Sequence, residues 1–187
     1  MNIIVKTYNG ATVCRPDTTW ERENKDIYLP EDVDGFSYSP ILFARISKAG
    51  KCIGAKFASR YYDAINYGVL LYPTAIFSSE QGLAAASCLD HTSILPFPLY
   101  NICTMESGEN RFELFKDGLE IYSTANGTPG MIEEAIVSAS QHISLRIGDM
   151  ICVELSNVTP LTIPDEKKPE IHALYCGNEI FRLNIVK

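Results

Sequence analysis

Residues 112–122 constrain this chain most. Phe112-Glu113-Leu114-Phe115 alternates apolar and polar side chains, Lys116-Asp117-Gly118 supplies a turn, and Leu119-Glu120-Ile121-Tyr122 returns. An Asp-Gly turn between two β-prone runs marks a hairpin, because both central residues tolerate the backbone that matches strand twist. A lone hairpin is marginal in water, so its apolar face needs further strands or a helix. The rest of the sequence supplies them. Short β-prone runs occur at 27–29, 41–46 and 69–72, and 41–46 is apolar enough to be a central strand. Another runs over 150–155, after the turn Leu145-Arg146-Ile147-Gly148-Asp149. Residues 173–176 and 179–185 form a closing hairpin around Gly177-Asn178.

Two segments read as helices. In 55–66, Phe57, Tyr61, Ala64 and Ile65 fall at helical spacing, with Lys56, Arg60 and Asp63 opposite. In 131–143 the buried stripe is Ile132, Ala135, Ile136, Ala139 and Ile143. The N-terminal third is rich in turn signals, 83–87 is a short Ala-rich segment, and Pro96 and Pro98 keep their stretch extended. The expected fold class is α+β, mainly β, with two principal helices in a single domain over 1–187.

Composition narrows function by exclusion. Sixteen basic against 23 acidic residues give a formal net charge of −7, and basic clusters are no longer than pairs such as Lys167-Lys168. Binding to phosphate backbones needs clustered Lys and Arg, so nucleic acid is excluded as a partner. Ile3-Ile4-Val5 is too short for a signal-peptide core, and no run approaches the roughly 18–20 apolar residues of a membrane helix. The six cysteines lie apart with no C-x-x-C pair, and are expected to be reduced and mostly buried. No membrane partner and a cytoplasmic location are the expectation. G-x-S-x-G, G-x-G-x-x-G and Walker motifs are missing.

Few residues invite a chemical role. Asp90-His91 sets an acid beside an imidazole, either an acid/base pair or an exposed loop pair whose side chains point apart. Glu154 ends an apolar run; buried, it would hold a raised pKa and transfer protons, and otherwise it faces solvent. His172 follows the polar segment 164–170, a solvated loop, and His142 closes the second helix. Trp20 stands in a charged turn, exposed for a partner.

Three blocks of sequence carry a resemblance. Residues 112–149 hold the hairpin, a helix and Leu145-Arg146-Ile147-Gly148-Asp149-Met150-Ile151. Residues 44–68 hold Lys48-Ala49-Gly50-Lys51 and Phe57-Ala58-Ser59-Arg60-Tyr61-Tyr62-Asp63-Ala64. The third block is Val13-Cys14-Arg15-Pro16-Asp17. In this order they resemble the compact bacterial form of the fumarylacetoacetate hydrolase family, which implies a multi-layer β-sheet fold. The family's chemistry uses Mg²⁺ or Mn²⁺ on a Glu-x-Glu pair and a later Asp, hard oxygen ligands that polarise a keto substrate as its C–C bond breaks.

Carried onto this sequence, those three positions are Ser39, Ile41 and Leu70, none of which is a carboxylate. The family's Arg-Asp falls at Thr74-Ala75 and its pocket Lys at Ser87. Its Thr-Gly-Thr-Pro loop falls at Val153-Glu154-Leu155-Ser156, and residues 1–12 leave no room for its N-terminal lid and histidine. The resemblance therefore implies a catalytically degenerate protein without a metal cofactor, in a structural, regulatory or ligand-binding role. It would form a homodimer, or a hetero-oligomer with an intact homologue. The alternative is a hydrolase, lyase or isomerase of a small keto acid through a relocated site at Asp90, His91 and Glu154.

Overall fold

A computed structural model describes residues 1–79, 82–106, 110–162, 166 and 168–187. Part of the expected 164–170 loop lies outside them. In chain order the strands are β1 Asn2–Lys6, β2 Thr12–Pro16, β3 Trp20–Glu21, β4 Ile27–Tyr28, β5 Phe36–Ile46, β6 Tyr62–Pro73 and β7 Ser93–Ile94. They continue as β8 Phe112–Lys116, β9 Leu119–Thr124, β10 Met150–Glu154, β11 Thr159–Pro160, β12 Glu170–Tyr175 and β13 Asn178–Val186. The helices are α1 Thr74–Phe77, α2 Gly82–Ala86, α3 Cys103–Glu106 and α4 Pro129–Ser140.

One sheet runs β2-β1-β10-β5-β6-β7-β3 with β11 attached to β5, and the other runs β4-β13-β12-β8-β9. The mainly-β α+β expectation holds. The 112–122 hairpin forms as β8 and β9, with Asp117 and Gly118 both at positive φ as such a turn requires.

β5 and β6 are the spine of the larger sheet, paired from Phe36↔Pro73 to Ile46↔Tyr62 and buried along almost their whole length. Their two faces enter different clusters. On one face Leu42, Ala44, Ile65, Tyr67 and Val69 pack with α4 and with Phe112, Leu114, Ala173 and Phe181 of the smaller sheet. Tyr67 stacks on Phe112 at 4.8 Å. On the other face Ile41, Phe43, Leu70 and Tyr72 join Ile3, Val5, Met150 and Cys152, beneath Phe77, Leu83 and Trp20. Gly68 is required where β7 crosses: a Cβ there would stand 2.3 Å from the Ile94 carbonyl oxygen.

The structure corrects several sequence expectations. The expected helix over 55–66 is a 3-10 helix, Ala55–Arg60, followed by strand. Residues 62–73 are buried on both faces and so carry no single period, and an eleven-pair ladder with β5 outweighs the local helical pattern. Of the two expected principal helices, α4 alone exceeds two turns among the described residues. It begins two residues early because Pro129 suits the first helical position. It ends at Ser140, whose carbonyl accepts the Cys52 N–H. Five of the six cysteines are exposed, and Cys152 is the buried one. His172 is a strand residue stacked on Phe115 at 4.8 Å, and Trp20 is half-buried with its indole N–H donated to the Leu95 carbonyl.

Candidate functional site

Strand alternation gathers the chemistry-bearing residues on the β5–β6 face that carries Ile41 and Leu70. Ser39 lies opposite Leu70, Glu154 opposite Ile41, and Arg15 opposite Ile3. Residues directly opposite across a ladder share a face, so these positions, far apart in the chain, meet in one layer. Ser39, Ile41 and Leu70 are each fully buried. The Ser39 hydroxyl donates to the Ser156 carbonyl at 3.0 Å, while Ile41 and Leu70 are packed into the apolar cluster. A hard divalent cation needs several oxygen ligands. This trio offers one hydroxyl, already engaged, so its residues do not fit the family's metal. Among the described residues no group of three or more His, Cys, Asp or Glu could hold a metal ion.

Glu154 is 5% exposed, which decides between its two readings in favour of burial. It follows Met150 and Cys152 on β10 at the strand period of two, and so inherits their inward face. Burial raises its carboxyl pKa. The Tyr72 hydroxyl donates to Oε1 at 2.6 Å, the Tyr8 N–H donates to Oε2 at 2.9 Å, and Arg15 adds a nearby positive charge. These three oppose the burial effect without cancelling it. Tyr72 is buried in turn, and burial pushes its phenol well above the ordinary range.

Arg15 is 1% exposed. Its Nη2 donates to the Leu71 carbonyl at 2.9 Å and the Thr92 hydroxyl at 2.7 Å, its Nε to the Ser87 carbonyl at 3.3 Å, and its guanidinium lies 5.0 Å from the Tyr72 ring centre. Nη1 has no hydrogen-bond partner among the described residues, and burial lowers the pKa of the guanidinium. A guanidinium from β2 thus stands against residue 87, where the family resemblance puts a lysine. Arg15, Tyr72 and Glu154 form a cation–aromatic–acid series, of which residue order singled out Glu154 alone. Arg15 stood in a quoted motif, but nothing local marks its burial.

Two clefts beside this sheet hold candidate residues among the described ones. One, of about 510 Å³, lies at the β1–β2 turn and is lined by Tyr8, Phe77, Leu83, Glu154 and Val158 among others. The second, of about 670 Å³, lies where the chain leaves β3 at the larger sheet's edge and enters β4 in the smaller sheet. It is lined by Glu21, Lys25, Asp26, Ile27, Tyr28, Pro30, Leu89, Asp90 and His91. Ser39, Ile41 and Leu70 line neither. Asp90 and His91 therefore share a cleft, and Glu154 belongs to the other. A single relocated site built from all three does not form.

Nothing in residue order points to His91's partner. Trp20↔Ser93 and Glu21↔Ile94 pair in register, which brings the end of β3 against the residues just before β7. There His91 Nδ1 lies 3.0 Å from Glu21 Oε2. Glu21 is 4% exposed, and its Oε1 accepts the Glu23 N–H at 2.8 Å, so the carboxylate is held in place.

No family model and no curated protein matches the sequence. Solved structures do match the fold. A protein from Yersinia pestis assigned to the fumarylacetoacetate hydrolase family superposes with a TM-score of 0.80 and 14% identity, covering 99% of this chain and 92% of that one. Fumarylpyruvate hydrolase from Pseudomonas aeruginosa, solved with Mn²⁺ and pyruvate, gives 0.80 and 14% over 100% and 89% of the two chains. The 5-carboxymethyl-2-hydroxymuconate delta-isomerase from Mycobacterium smegmatis gives 0.81 and 16% over 99% and 78%. The chain has the fold of fumarylacetoacetate hydrolase family hydrolases and isomerases.

Proposed function

We propose that this is a catalytically degenerate protein of the fumarylacetoacetate hydrolase fold, acting in a ligand-binding, regulatory or structural role without the family's divalent metal. One observation carries the reading. Ser39, Ile41 and Leu70 are buried neighbours on one sheet face, so the positions the family gives to carboxylates are taken by packing. Enolate chemistry needs an electrophile to hold the developing charge, and a neutral, engaged hydroxyl between two aliphatic side chains supplies none. The neighbouring Glu154 is favoured as a proton-holding acid by its burial, which suits hydrogen bonding to a neutral group better than ligation of a hard cation. The protein is further proposed to work in the cytoplasm as a homodimer, or in a hetero-oligomer with an intact homologue, as the likeness to the family implies.

Calorimetric titration with Mg²⁺ and Mn²⁺, paired with turnover assays on an acylpyruvate and on oxaloacetate, tests the proposal. No stoichiometric binding and no turnover are expected. One metal bound per chain with measurable turnover overturns it. Light scattering on the purified chain, alone and mixed with an intact homologue, tests the assembly.

A further inference from the structure

We propose that the cleft between the β3 edge and β4 is a binding site for a small organic cation, a primary ammonium carried on an apolar or aromatic body. The site does not depend on how the β5–β6 face is read. It is built around His91, whose ring is held from one side. Glu21, buried and anchored by the Glu23 N–H, takes the Nδ1 side of the imidazole at 3.0 Å. In the neutral imidazole a carboxylate at Nδ1 holds the ring proton there and leaves Nε2 as a lone-pair acceptor. No hydrogen bond reaches Nε2 among the described residues, and the side chain is 62% exposed along the cleft.

The backbone is set as well. His91 sits at φ +59°, in the left-handed region, with its N–H donated to the Thr18 carbonyl at 3.2 Å. A non-glycine residue keeps that conformation where its surroundings hold it.

The remaining walls decide the sign of the ligand. Asp90 lines the cleft, is exposed, and has no hydrogen bond or ion pair among the described residues. Asp26 is engaged by Asn184 and Lys168. Lys25 lies 2.5 Å from Glu23, so its charge is already matched. The free charge in the cleft is therefore negative, and an anion would meet Asp90 and Glu21 with no unpaired cation to receive it.

An ammonium fits instead, with one N–H to the Asp90 carboxylate and one to His91 Nε2. Tyr28, 72% exposed, offers a ring face to the charge or to an aromatic body, and Ile27, Pro30 and Leu89 cover the apolar part. This recognition is opposite in sign to that of an anionic keto acid.

Phenethylamine is the probe, titrated into the intact chain while the His91 ring protons are followed by NMR, with phenylacetate as the matched anion. His91→Gln identifies the resonance by its disappearance. A saturable shift with phenethylamine and none with phenylacetate is expected. Asp90→Asn and His91→Gln are expected to weaken binding at least tenfold, read by calorimetry, with an unchanged circular dichroism spectrum. Glu21→Gln acts through the ring: the two ring ¹⁵N shifts should move towards each other as the tautomer is released, with binding weakened by a smaller factor. If Glu21→Gln does not fold, Asp90→Asn alone decides the outcome. No saturable shift with phenethylamine, an equal response to phenylacetate, or unchanged affinity in Asp90→Asn would each overturn the proposal.

Discussion

The β5–β6 face and the β3–β4 cleft use similar residues in opposite ways. On the face, Arg15 is sealed into the sheet and Glu154, at the margin of the β1–β2 cleft, is all but buried, their polar atoms bound mostly to carbonyls, hydroxyls and their shared neighbour Tyr72. In the cleft, the buried carboxylate of Glu21 supports an imidazole that faces outward. Polar groups confined to the interior must satisfy one another and become part of the stability of the fold. Groups at a sheet edge can be braced from within and still meet a ligand. Within one sheet, then, burial separates polar residues that hold structure from those free to act.

That contrast can be broken by substitution. Ile41→Glu should have the largest effect, because it sets a second carboxylate directly opposite buried Glu154. A loss of about 4 kcal/mol or more in urea unfolding is expected; wild-type stability would mean the face is more open than its packing implies. Arg15→Ala should follow at about 3 kcal/mol, since it strips partners from the Leu71 and Ser87 carbonyls and Thr92. Arg15→Met, which refills the space without charge, should lose less.

Glu154→Gln sharpens the comparison through pH. Because burial raises the folded pKa of Glu154, the folded protein holds its proton more tightly than the unfolded chain. Its contribution is then present below the ordinary carboxylate range and is lost as pH rises through the folded value. Melting temperatures measured from about pH 4 to pH 8 should show the Gln variant gaining on wild type as pH increases. A constant difference would place Glu154 in solvent. His91→Gln should be the mildest, within about 0.5 kcal/mol of wild type, as its side chain is 62% exposed. A much larger loss would make His91 part of the scaffold.

Much of the local structure was legible from residue order. Asp117-Gly118 announced its hairpin, and four of the five residues expected in the stripe of α4 are buried. The 55–66 helix failed because its second half opens a strand buried on both faces, an apolar run that periodicity does not tell from a buried helix, and a long-range ladder made the choice. The site was legible by halves. Asp90 and His91 stood out as a pair, yet their separation from Glu154 and the bond from His91 to Glu21 depend on which strands become neighbours.

By itself the sequence determined the class of the fold, the turns, the face each strand residue takes relative to its own neighbours, and the lack of carboxylates at Ser39, Ile41 and Leu70. Alternation is a local property of the backbone, readable from residue order alone. Tertiary structure decided what each face meets. It set Ser39 beside Leu70 and Ile41 beside Glu154, buried Arg15, and brought Glu21 under His91. These pairings follow from register between distant strands, where a shift of one residue would turn every side chain to the opposite face.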